Sequence, residues 1–177
     1  LDLIHSYVNL YPEKLKEILI DKKESTFHLS DTYVLPRTKR YTVTAAGVRQ
    51  FHSLMEHDKE VQAKEKGFQL RVKAGAGDAY HTNILVKIMA LLANKAATLD
   101  PSGIGIEMEA NKPNWYDALN GLPGLLGSSI SEAFELKRWA MFVRDSLNDL
   151  KLTDQTKVEI FEELADFISG LTHLLTN

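Results

Sequence analysis

Glu107, Glu109, Lys112, Asp117 and Asn120 stand in one short stretch that also carries Trp115 and Tyr116. These residue types together can handle a sugar. An aromatic ring covers the apolar C–H face of a pyranose, while carboxylates, amides and ammonium groups bond its hydroxyls. A carboxyl held protonated delivers a proton to a glycosidic oxygen. An aromatic neighbour such as Trp115 desolvates an adjacent carboxyl and favours that protonated form. Each residue also has a plainer reading. Asp117 can cap a local turn. Glu107 and Glu109 can be ordinary polar residues or partners of Lys112. Trp115 can be buried in its own loop.

The stretch in question, residues 103–129, lies between two helical patterns. Links of this length are uncommon in compact domains unless they serve a function or are disordered. Its Trp, Tyr, Met, Ile and Leu content argues against disorder, because such side chains are costly to leave in water. Gly103, Gly105, Gly121, Gly124 and Gly127, with Pro113 and Pro123, point to a defined path. An ordered functional loop is therefore expected here.

The segment Trp115-Tyr116-Asp117-Ala118-Leu119-Asn120 resembles the Trp-Asn-Asp-Gly-(Leu/Met)-Asn segment of cellobiose phosphorylases and their relatives. Text on either side, around Glu107, Glu109, Lys112 and Gly121 to Leu125, is similar to large bacterial proteins described as cellobiose-phosphorylase-like. The resemblance implies that Asp117 is the general acid and that Trp115 and Asn120 line a sugar subsite. It implies a mainly α fold, part of an α/α (six-hairpin) barrel with six inner and six outer helices. It also implies an inverting glycoside phosphorylase or glycoside hydrolase acting on glucosides or oligosaccharides. Inorganic phosphate is the co-substrate in the first case. In the second, a further carboxylate activates water, roughly 6.5–9.5 Å from the acid. Tyr116 replaces the family's Asn and Ala118 its usual Gly, which alters the subsite around an unchanged acid. No counterpart of the family's phosphate-binding residues stands out after Asp117. The alternative is a non-catalytic helical module that binds sugar or a protein.

Other motifs carry less. Arg37, Lys39 and Arg40 can meet an anion but read as a solvated turn. Gly75-Ala76-Gly77 fails the dinucleotide fingerprint, because Tyr80 occupies the third glycine position. Ser128 and Ser129 do not sit in a complete Gly-x-Ser-x-Gly nucleophile elbow, so capping explains them better. His52 and His57 are spaced wrongly for one helix face, and His28 and His81 stand alone, so no metal site is expected. With no cysteine in the chain, disulfides and thiolate chemistry are excluded. The formal charge of −3 is spread along mixed-sign sequence, unlike the concentrated basic surface that nucleic acid needs. Neither a membrane span nor a signal peptide is apparent, and the expected location is cytoplasmic.

The elements that must position the loop read as mainly helical, with a small β excursion in the first half. Residues 6–21 read as a helix broken or started by Pro12. Residues 32–35 and 41–44 are β-like, with a hairpin turn expected at 36–40. Residues 45–66 have helical spacing through Val48, Phe51, His52 and Met55, and Phe68, Leu70 and Val72 alternate as a strand would. A strong helix is expected over 80–99, apolar at Ile84, Leu85, Ile88, Leu91 and Leu92 and buried on most sides. Ser129 with Glu132 forms a capping-box pattern for a helix reaching about Leu150. Thr153 or Asp154 is expected to cap the last helix, a short link making it the antiparallel partner of the one before. The chain of 177 residues reads as a single unit, 103–129 being its functional loop. It does not open with Met, and twelve helices need a longer chain, so a piece of a larger catalytic domain is expected, with the remainder of its own barrel as partner.

Overall fold

The computed structural model describes residues 2–28, 32–35, 37–50, 54–56, 69–73, 75–99, 103–107, 128–153 and 155–176. These are mainly helical, with four short two-stranded ladders. No helix is long and apolar enough to cross a membrane among the described residues. The chain divides into two compact units, where the sequence reads as one. Unit 1 comprises Leu1–Thr26, His81–Thr98 and Phe134–Asn177; unit 2 comprises Phe27–Tyr80 and Leu99–Ala133. Each is assembled from separated segments, so no composition shift along the chain marks the boundary.

Unit 1 opens with helix α1 (Asp2–Leu10). The sequence placed a helix start or break at Pro12, and the structure puts both there. Tyr11 leaves helical geometry, and Pro12 begins a 3-10 turn (Pro12–Lys14) at the position where its missing N–H costs nothing. A π-helical turn follows over Glu17–Asp21. Strand β1 (Ser25–Thr26) pairs with a later strand, His81–Thr82.

Helix α3 (Ile84–Ala96) starts later than the sequence pattern implies, because Asn83 caps it. The Asn83 Oδ1 accepts from the Val86 N–H at 3.0 Å, and its Nδ2 donates to the Ile20 carbonyl at 3.2 Å. One buried amide thus begins a helix and fastens it to the π turn. Leu85 and Ile88 of α3 join Leu15, Leu19 and Phe142 in the core cluster, with Ile4, Val8 and Trp139 packed around it. Full burial of such side chains stabilises by about 1.5–3 kcal/mol each. Helix α3 is buried on most sides, as its apolar stripe widened by Val86, Met89 and Ala90 implies: Leu85, Val86, Ile88, Ala90 and Ala93 are buried, and Leu91, 57 % exposed, is the exception within the stripe.

Helix α4 (Ile130–Asp149) and helix α5 (Glu162–Thr176) complete the helices. The short link expected between them is a long one. Thr153 does not cap α5, which begins only at Glu162, and Asp154 lies outside the described residues. Thr153 instead closes a local turn, its carbonyl accepting from the Thr156 N–H at 2.8 Å and its hydroxyl from the Gln155 N–H at 3.3 Å. Helix α5 packs against α3.

Unit 2 corrects two expectations. Strand β2 (Thr32–Val34) does not form a hairpin with β3 (Tyr41–Thr44). Instead, one helical turn, α2 (Arg37–Arg40), lies between them. Strand β2 pairs with β5 (Leu54–Glu56), and β3 pairs with β4 (Gly47–Gln50). The helix expected over 45–66 is therefore two strands in its first part. Gly47 at φ 96° breaks helical geometry, and Val43 and Val48 meet in register across the ladder. Residues 57–68 lie outside the described residues.

The turn expected near Gly75 does form. Arg71 bridges Ala79, and Gln69 bridges His28, so residues 69–71 make isolated pairings without becoming a full strand, and Val72 begins the turn. The Gly77 N–H donates to the Val72 carbonyl at 2.9 Å. A Cβ at Gly77 would lie 2.5 Å from Val72 Cγ2, so this tight tip requires glycine. Phe27 and Tyr80 stack at 6.2 Å beside it.

Candidate functional site

The segment that carries the expected site leaves one strand of unit 2 and rejoins the chain at another. Strand β7 (Ile106–Glu107) pairs antiparallel with β8 (Ser128–Ser129). Ile106 stands opposite Ser129 and Glu107 opposite Ser128. Both ends of the loop are therefore held within a strand spacing, about 4.5–5.5 Å between paired Cα atoms. A second bridge joins Leu99 to Ile106, so the entry to the loop is tied back to an earlier residue of unit 2. Ile106 is 1 % exposed, and Gly105 before it is buried. Gly103, at φ 66°, occupies the left-handed region that a side chain disfavours.

The exit side is fixed by a cap. The Ser129 Oγ accepts a hydrogen bond from the Glu132 N–H at 3.2 Å, which is the Ser-to-Glu spacing read from the sequence. Ser129 therefore ends the loop, pairs with Ile106 and starts α4. Holding the two chain ends together removes much of the entropy that would otherwise oppose ordering what lies between them.

The chemistry-bearing candidates are placed unequally. Glu107 is located by its backbone at the last paired position of the ladder. Glu109, Lys112, Trp115, Tyr116, Asp117 and Asn120 lie outside the described residues. Of the lesser candidates, Lys39 is exposed on α2, His81 lies exposed in β6 (His81–Thr82), and His28 forms an isolated bridge. His52 and His57 lie outside the described residues. Gly75 and Gly77 serve the hairpin tip, where Arg71 Nε donates to the Gly77 carbonyl at 2.7 Å. Among the described residues, no group of three or more His, Cys, Asp or Glu could hold a metal ion.

Electrostatic organisation of unit 1 centres on two ion clusters that sequence reasoning did not single out. Arg138 on α4 donates to Asp2 at 2.6 Å and to Glu135 at 2.7 Å. Its hydrogen bond and charge hold the Asp2 carboxyl below its ordinary range. Glu17 accepts from Lys14 and Lys22 at 2.8 and 2.9 Å. Those two bonds lower the Glu17 pKa from 4.5 to about 2. The Glu135–Arg138 and Lys14–Glu17 spacings of three were legible as helical neighbours, whereas Arg138–Asp2 needed the fold.

The chain matches no family model, no curated protein and no solved structure.

Proposed function

We propose that the chain belongs to the catalytic part of an inverting carbohydrate-active enzyme, a glycoside phosphorylase or glycoside hydrolase acting on glucosides or oligosaccharides. Asp117 is the proton donor to the glycosidic oxygen. Trp115 and Tyr116 offer ring faces to the sugar, and Asn120, Glu107, Glu109 and Lys112 bond its hydroxyls. The reading rests on the resemblance of Trp115-Tyr116-Asp117-Ala118-Leu119-Asn120 to the acid segment of cellobiose phosphorylases. It is supported by the ladder of Ile106 and Glu107 with Ser129 and Ser128, which holds the root of that loop. A general acid needs such a root, because misplacement by about 1 Å costs on the order of 10²-fold in rate.

The helices fit the same reading. In this proposal α3, α4 and α5 contribute to an α/α (six-hairpin) barrel whose other helices come from the remainder of the same protein. Its location is cytoplasmic. Inorganic phosphate serves as co-substrate if the reaction is phosphorolysis, and water takes its place if it is hydrolysis.

The test is Asp117→Asn in the intact enzyme, assayed on two substrates. Turnover of cellobiose, whose leaving group needs a proton, is expected to fall by about 10²–10⁴. Turnover of a nitrophenyl or fluoride glucoside, whose leaving group needs none, falls far less. Equal losses on both substrates, or near-normal turnover of cellobiose, would remove Asp117 from the mechanism.

A further inference from the structure

Helices α1 and α4 leave a groove of about 290 Å³ in unit 1. Its volume falls just below the range of drug-sized ligand pockets, roughly 300–1,000 Å³, which suits a smaller occupant. Val8, Leu15, Met141 and Phe142 make an apolar lining. Phe142 is 7 % exposed, and the His5 ring meets it edge-on at 4.9 Å, so no open aromatic face is available for a sugar ring.

The polar lining comes from Asn9 on α1 and from Asp145, Ser146 and Asp149 on α4. Asp145 and Asp149 are four residues apart and share one helix face. Both lie near the C-terminal end of α4, where the helix dipole already disfavours negative charge, and the last turn carries no basic residue. Asp145 is paired with Arg144 at 2.8 Å. Among the described residues Asp149 has no ion pair. Ser146 supplies an independent observation. It is 4 % exposed, lines the groove, and its hydroxyl has no hydrogen-bond partner among the described residues. A buried hydroxyl left unpaired is costly, and a ligand donor satisfies it.

We propose that this groove binds a short-chain primary alkylammonium ion. An ammonium head has three N–H donors and no acceptor. Asp149, the Ser146 hydroxyl and the Asn9 side-chain carbonyl supply three acceptors, and the negative end of α4 adds a favourable field. The alkyl chain lies on Val8, Leu15 and Met141. A second ammonium group would lie unpaired against the apolar lining of Val8, Leu15 and Met141, since the charge of Arg138, which also lines the groove, is already taken up by Asp2 and Glu135. The occupant is therefore a monoamine rather than a diamine. This site is separate in residues and chemistry from the sugar loop and does not depend on that reading.

The probe is n-butylammonium chloride, added to the 177-residue chain at constant ionic strength while backbone amide NMR shifts and thermal melting are followed. Saturable shifts at Asn9, Ser146 and Asp149 are expected, together with a raised melting temperature. Tetramethylammonium, which has no N–H, and sodium produce neither. 1,4-Diaminobutane binds no more tightly than the monoamine. Asp149→Asn weakens binding by about tenfold, as expected for loss of one charge-assisted hydrogen bond. Ser146→Ala weakens it as well, and circular dichroism verifies that both variants stay folded. Equal responses to butylammonium, tetramethylammonium and sodium would overturn the proposal. So would wild-type affinity in folded Asp149→Asn.

Discussion

Ile106 and Ser129 face each other in the ladder that closes the root of the candidate loop, and Ser129 also caps α4 through the Glu132 N–H at 3.2 Å. One serine thus couples a strand pair to a helix start. Ser129→Ala removes the cap acceptor and is expected to cost about 1 kcal/mol, within a range of about 0.5–2. Ser129→Asp keeps an acceptor and should recover most of that. Urea melts of the three proteins make the comparison. A Ser129→Ala variant as stable as wild type would show that the cap contributes nothing.

Ile106 is the apolar half of the same clamp. At 1 % exposure its truncation leaves a cavity, so Ile106→Ala should cost about 2–5 kcal/mol. Ile106→Val removes one methylene and should cost about 0.5–1.5 kcal/mol. Equilibrium unfolding of both variants checks the order, and equal losses would contradict a packed site.

Asn83 carries two bonds from one buried side chain, to the Val86 N–H and the Ile20 carbonyl. Asn83→Ala loses the cap and orphans a carbonyl, which together should cost about 2–3 kcal/mol. Asn83→Asp keeps the cap acceptor but sets a carboxylate against the Ile20 carbonyl. It should therefore be less stable than wild type, in contrast to an ordinary exposed cap, where Asp and Asn are interchangeable. Thermal melts at neutral pH decide between these outcomes.

Glu17 provides a pH dependence. Its pKa falls from 4.5 to about 2 because Lys14 and Lys22 donate to it. A depressed carboxylate contributes stability that is present above 4.5 and is lost as pH falls through about 2. Glu17→Gln should therefore flatten the stability profile between these values, with the largest difference from wild type above pH 4.5. The pair is solvent-exposed, so added salt should shrink the effect. Identical pH profiles for the two proteins would discount the pairing.

Gly77 tests the tight tip in unit 2. A Cβ there would sit 2.5 Å from Val72 Cγ2 and 3.0 Å from the Val72 carbonyl oxygen. Gly77→Ala should cost about 1–3 kcal/mol through overpacking. Val72→Ala in the same chain should relieve part of that loss. Additive effects of the two changes, measured by chemical unfolding, would argue against the contact.

Local signals in the sequence determined local structure well. The Ser129 and Glu132 spacing located the start of α4, since a capping bond joins residues three apart. Pro12 marked a helix start because its ring suits only a first turn. Gly75 and Gly77 marked a turn because one has positive φ and the other lacks room for a Cβ. The proposed acid segment around Asp117 rests on residue types in order alone and lies outside the described residues. Long-range choices were decided only by the tertiary structure. Strand β2 chose β5 over the neighbouring β3, and β-like composition contains no record of its partner. The helical spacing that includes Val48 and Met55 yielded to strand pairing at those two positions, because ladder partners were available to β4 in Tyr41–Thr44 and to β5 in Thr32–Val34. The meeting of Ile106 with Ser129, and of Arg138 with Asp2, joins residues far apart in the chain. Propensity and periodicity act over a few residues, whereas burial and pairing are settled by which surfaces remain to be covered once the chain has collapsed.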